Sequence, residues 1–181
     1  MARVSYVDPR DLPEEDRRLH EEFASYGPFG NLVAAMAHRP PIMRHALGML
    51  QELAGEGVLA KRHLELALVT VSKLNACEYC VAHHAPKLTV EGVSPEGVAR
   101  LPDVEGHPEL DEVDLLVVEY ARAVTENPNR VRNALFDRLH CHFDERQIVE
   151  LTWRIALCGA FNRFNDVLQL EIEPEAAGKA A

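Results

Sequence analysis

Between Ala60 and Leu74 the chain leaves almost no polar face. Leu64, Leu66, Ala67, Leu68, Val69 and Val71 fill nearly every direction around the helix that this spacing predicts. A helix that is apolar nearly all round belongs in the middle of other elements. The rest of the sequence supplies helices to surround it. Helical periodicity recurs almost throughout, with no strand-like alternation, no repeat, no low-complexity tract and no linker.

A first helix is predicted from the Leu12-Pro13-Glu14-Glu15-Asp16 start to about Tyr26, with Pro and acidic residues in its first turn. A short one follows from Gly30 to His38. The third runs from Ile42 to Ala54, with Met43, Ala46, Leu47, Leu50 and Leu53 on one stripe. The helix after Ala76 is expected to end or kink near Ala85, because Pro86 follows. Further helices are expected near Pro95 to Leu101, Pro108 to Glu126, Arg130 to Leu139 and Asp144 to Leu170. The last opens with Asp144 as a cap and Gln147 three residues on. The fold class is all-α: one compact multi-helix bundle over residues 1–181. Its core spans about 12–170, and the polar tail 171–181 is expected to be loose.

A chain of 181 residues can bury a sizeable core as one domain. A net charge of -10 repels phosphate, which argues against nucleic acid and anionic membranes as partners. No apolar run approaches the roughly 20 residues that span a bilayer. The N-terminal residues lead into a charged segment with no apolar signal core, so a cytoplasmic protein is expected. No cofactor is expected. A chain of this size needs no disulfide staple, and the cytosol keeps thiols reduced. Two of its four cysteines nevertheless form a C-x-x-C pair, Cys77 and Cys80, a pattern of redox chemistry or metal binding.

Asn75-Ala76-Cys77-Glu78 reads as a capping box, with Asn75 as N-cap and Glu78 reaching back. Cys77 and Cys80 then fall in the first turns of a helix, where unpaired N–H groups and the dipole stabilise a thiolate. At about 100° per residue, Cys80 lies near 300° and His84 near 340° from Cys77, all on one face. Tyr79 falls on the other side, at about 200°. His84 is one turn from Cys80, a rise of about 6 Å, and about 10.5 Å along the axis from Cys77. An imidazole beside a thiol can take its proton. Glu65, inside the most apolar helix, needs a partner or its proton affinity rises. Either state suits a proton relay.

Glu65, eleven intervening residues, Cys77-x-x-Cys80, three residues and His84 resemble the signature of the alkylhydroperoxidase D and carboxymuconolactone decarboxylase superfamily. Glu65-Leu66-Ala67-Leu68-Val69, Asn75 to His84 and Phe161-Asn162-Arg163-Phe164-Asn165-Asp166 are similar to its peroxidase-related branch. The resemblance covers roughly residues 20 to 170. It implies an all-helical fold, a homo-oligomer (trimer, dimer or hexamer) and thiol-dependent reduction of hydrogen peroxide or alkyl hydroperoxides. It carries over Cys80, Cys77, His84 and Glu65 as the catalytic set. The implied partners are a small peroxide and an external dithiol reductant, of dihydrolipoyl or thioredoxin-like type. Proximity to His84 and the family pattern together assign attack to Cys80 and resolution to Cys77. Tyr79 departs from the best-known members, which have His before the second cysteine.

Other readings stand beside this one. Cys77, Cys80 and His84 could bind zinc if His140, Cys141 and His142 completed the site. The chain would then be a zinc- or redox-responsive binding protein. A carboxymuconolactone decarboxylase-like enzyme on the same fold is a further alternative, although those enzymes lack the cysteine pair. Otherwise His140, Cys141 and His142 mark a helix end, Cys158 is a small buried residue, His83 faces solvent, and Arg163 pairs with Asp166.

Overall fold

The computed structural model describes residues 1–23 and 26–177. Among the described residues every regular element is helical. In chain order the α-helices are α1 (Glu14–Phe23), α2 (Gly30–Met36), α3 (Pro40–Glu56), α4 (Lys61–Leu74), α5 (Glu78–Val90), α6 (Pro95–Arg100), α7 (Glu112–Glu126), α8 (Asn133–His140), α9 (Glu145–Leu168) and α10 (Pro174–Ala177), with short 3-10 turns at Pro9–Asp11 and Pro128–Arg130. The all-α class is the one that the periodicity predicts. None of these helices is long and apolar enough to cross a membrane.

The chain forms two compact units, Met1–Val58 with Asn165–Ala181, and Leu59–Phe164. In the first, α1 packs on α3. Buried Asp16 accepts from Arg44, whose Nη2 lies 2.9 Å from Oδ2. The polar tail is not loose as far as Ala177. The Asn31 amide donates to Glu173 Oε1 at 2.7 Å, Asn31 Nδ2 donates to the Glu171 carbonyl at 2.7 Å, and Ala176 is buried. A polar composition concealed these anchors, and residues 178–181 lie outside the described residues.

In the second unit α4 is central, as its composition requires. Glu65 through Ser72 are all buried, and α4 packs on both α5 and α7. Leu66, Val69, Leu88, Val117, Leu139 and Leu151 make the middle of this core, each essentially without exposure. The start of α4 is tied down by Arg62. Its guanidinium donates to Asp114 at 2.7 and 2.9 Å and to the carbonyls of Glu91 and Glu109, both at 2.8 Å. Asp114 also accepts from the Asp111 amide, closing the capping box that starts α7. The predicted cap of α9 is present too: Gln147 N–H donates to Asp144 Oδ1 and Asp144 N–H to Gln147 Oε1, each at 2.9 Å.

Several helix ends shift by a few residues, and two differences bear on the site. α5 does not stop before Pro86 but continues to Val90. Leu88, two residues past the proline, is fully buried, and this packing outweighs the lost backbone bond. Thr89 Oγ1 also donates to the Ala85 carbonyl at 3.2 Å. Nor is Asn75 the N-cap of α5. It is the C-cap of α4, and Cys77 occupies the N-cap position of α5. On α9, Val149 and Trp153 are 67% and 48% exposed, one turn apart on the same helical face.

Candidate active site

The site is built where α4 and α5 lie side by side. Glu65 sits in the second turn of α4, 7% exposed, and His84 in the second turn of α5, 9% exposed. The His84 Nδ1–H donates to Glu65 Oε2 at 2.7 Å. Burial pushes the Glu65 carboxyl up, but His84, with lesser help from Lys87 and Arg154, outweighs it and holds the group below the usual carboxylate range. Burial also holds His84 below the usual imidazole range, in spite of Glu65. Both shifts describe one state: an ionised carboxylate accepting from a neutral imidazole. With the proton on Nδ1, Nε2 carries the basic lone pair.

Cys80 precedes His84 by one turn of α5 and is buried. Side chains at this spacing are neighbours on a helix surface. Cys77, at the N-cap, is fully buried. The structure thus gathers the Glu65–His84 pair and both cysteines into the α4–α5 layer.

Several sequence expectations change. His83 does not face solvent. It is buried, stacks on Tyr79 with ring centroids 4.3 Å apart, and its Nδ1–H donates to the Tyr79 carbonyl at 2.6 Å. The helix is covered on that side too, which the wheel alone could not reveal. Arg163 donates to the Gly159 carbonyl one turn back, at 2.7 Å, rather than pairing with Asp166. Cys158 is buried as expected, and burial pushes its thiol up to about 12. His140, Cys141 and His142 are exposed at the end of α8. Among the described residues no three His, Cys, Asp or Glu side chains form a group that could hold a metal ion. The zinc reading therefore lacks the fuller ligand set it needs.

Two functional neighbours were missed. Lys87, three residues beyond His84, and buried Arg154 of α9 both act electrostatically on Glu65. Lys87 was visible as an i+3 neighbour on the reactive helix. Arg154 is flanked by apolar residues on a long helix, and only the packing of α9 turns it inward.

A search against protein families matches residues 40–107 to the carboxymuconolactone decarboxylase family. A curated relative, the uncharacterised protein YnjA of Escherichia coli K12, is 30% identical over 105 residues. That match spans 58% of this chain and 58% of the relative. Among solved structures, an alkylhydroperoxidase D core, peroxidase-related protein of Ralstonia eutropha aligns with a TM-score of 0.86 at 22% identity. The alignment covers 99% of this chain and 97% of that one. The debrominase Bmp8 in complex with 2,3,4-tribromopyrrole aligns with a TM-score of 0.78 at 20% identity, covering 97% of this chain and 94% of that one. At such identities the structures speak for the fold. The fold is the one those structures share, and residues 40–107, which carry the family match, span α3 to α6 and hold both cysteines, His84 and Glu65.

Proposed function

We propose that this protein is a thiol peroxidase that reduces hydrogen peroxide or small alkyl hydroperoxides through Cys80 and Cys77. The observation that carries the reading is the buried 2.7 Å bond from His84 to Glu65. It orients a neutral imidazole whose second nitrogen is basic, on the same helix one turn from the Cys80 thiol. A carboxylate that orients a histidine beside a nucleophile is the logic of an activated nucleophile.

In the proposed cycle His84 takes the proton of Cys80. The thiolate attacks one peroxide oxygen, the O–O bond breaks, and the departing alkoxide or hydroxide collects the proton. The peroxide is reduced to an alcohol or water, and Cys80 is oxidised to a sulfenic acid. The Cys77 thiol then attacks that sulfur, water leaves, and a Cys77–Cys80 disulfide forms. An external dithiol, dihydrolipoyl or thioredoxin-like, reduces the disulfide and becomes a disulfide itself. Decarboxylation, the activity in the family name, gives the thiol pair no task and is not proposed. The reading further places the protein in the reducing cytoplasm. It assigns the exposed Val149–Trp153 face of α9 to contact with other copies of the chain, which light scattering at micromolar concentration would test: a pure monomer removes that assignment.

The central test is steady-state peroxide consumption with dithiothreitol or a dihydrolipoyl donor. Turnover that disappears in Cys80→Ser and in Cys77→Ser is the expected result. Cys77→Ser should still be oxidised once by peroxide, leaving a sulfenic acid that a trapping reagent labels. Cys80→Ser should take no such label, and labelling of Cys77 there at the wild-type rate reverses the assignment.

A further inference from the structure

α4 ends and α5 begins within three residues. The Ala76 amide donates to the Lys73 carbonyl at 3.1 Å, and the Cys77 amide to the Ser72 carbonyl at 2.9 Å. Ala76 has φ +53. This is a Schellman closure, with alanine at the left-handed position that usually takes glycine. Cys77 is at once the last residue of that closure and the N-cap of α5. The left-handed conformation is unfavourable for alanine, so something other than local preference must hold the turn.

Helix α9 supplies the hold. Asn162 is buried, and its Oδ1 accepts from Asn75 Nδ2 at 2.8 Å. Its Nδ2 points to Ser72 Oγ at 3.5 Å and to Cys158 Sγ at 3.8 Å. Ser72 Oγ in turn donates to the Leu68 carbonyl at 2.7 Å. Asn162 therefore touches both Asn75, the C-cap, and Ser72, the residue whose carbonyl receives the Cys77 amide.

We propose that Asn162 is a positioning residue for Cys77: through Asn75 and Ser72 it locks the turn that presents the Cys77 thiol to Cys80. The proposal rests on the redox pair assigned above and adds the residue that sets how readily the pair closes. A thiol on a fixed turn meets its partner at high effective concentration, and a turn with a disfavoured residue wanders once its hold is cut. Cys158 does not compete for Cys77, because a thiol kept protonated by burial is a poor nucleophile.

Two readouts test this. The first is the equilibrium of the Cys77–Cys80 disulfide with glutathione, in which two glutathione thiols restore the dithiol and leave as oxidised glutathione. The second is a single turnover with peroxide, which separates oxidation of Cys80 from disulfide closure. In Asn162→Ala the equilibrium should move about tenfold toward the dithiol and closure should slow about tenfold. Cys80 oxidation should stay within about twofold. Asn75→Ala cuts the same bond from its more exposed end and should do the same, and the double variant should be no worse than either single one. If Asn162→Ala does not fold, Asn75→Ala carries the test. Unchanged or faster closure in a folded variant overturns the proposal. A wild-type protein that forms the disulfide with oxidised glutathione yet consumes no peroxide refutes the peroxidase reading alone. One that forms no disulfide at all refutes both.

Discussion

Arg62 and Glu65 stand one turn apart on α4, and each belongs to a buried ion-pairing arrangement of a different kind. Arg62 meets Asp114 with a guanidinium that never loses its proton. Glu65 meets His84, an imidazole whose proton can move. The first clamp also gathers two backbone carbonyls and ties α4 to the start of α7 and the end of α5. It is built to stay. The second joins one carboxylate to one imidazole through a single hydrogen bond. One helix thus carries a permanent ion pair and a pair that can exchange a proton, and the basic partner separates them.

The sharpest way to break this comparison is to neutralise each carboxylate's pairing in turn. Glu65→Gln keeps the shape and removes the ionised acceptor. Peroxide turnover should fall by roughly 10²- to 10⁴-fold, the worth of positioned acid–base help, while the circular dichroism spectrum stays helical. Unchanged turnover returns Glu65 to a structural role. Arg62→Met should do the opposite, costing about 3 kcal/mol of stability in urea unfolding by stranding a buried aspartate. Its turnover at low temperature should remain near wild type. A loss of turnover without a loss of stability in that variant would erase the distinction.

Acidity sharpens the contrast further. Glu65 and His84 both have folded pKa values below their ordinary ones. The unfolded chain therefore binds their protons first as pH falls, and the stability these groups contribute above pH about 6.5 for the histidine and 4.5 for the glutamate is lost on acidification. The midpoint of urea unfolding should fall below pH 6.5 in the wild type, and the His84→Gln variant should lack the histidine part of that decline. A wild-type midpoint flat between pH 7 and 4 would contradict these shifts. The smallest effect concerns the turn: Ala76→Gly should raise stability by about 1 kcal/mol, because glycine accepts the left-handed conformation freely.

Much of this was legible in the sequence for physical reasons. α4 announced itself because no face of it could meet water, and the Asp144–Gln147 cap because its two residue types answer each other's amides. Glu65 stood out as a carboxylate in an apolar helix, but its tie to His84 came through the family spacing and not from periodicity. The α4–α5 boundary was misread because no glycine marks the left-handed residue, and Asn75 suits a helix start as well as an end. Pro86 misled because a local rule was applied where tertiary burial of Leu88 decides. His83, Arg154 and the tail were out of reach: which side of an element is covered depends on what arrives from elsewhere in the chain.

The double duty of Cys77 leaves the junction between its two helices with no spare residue. Asn75 closes one, Ala76 makes the bend, and Cys77 serves both. Most loops tolerate a change in length, but this one sets the rotational phase of α5 against α4. One inserted residue that extended either helix would rotate everything after it by about 100°, carrying His84 away from Glu65 while leaving composition, charge and helix content almost untouched.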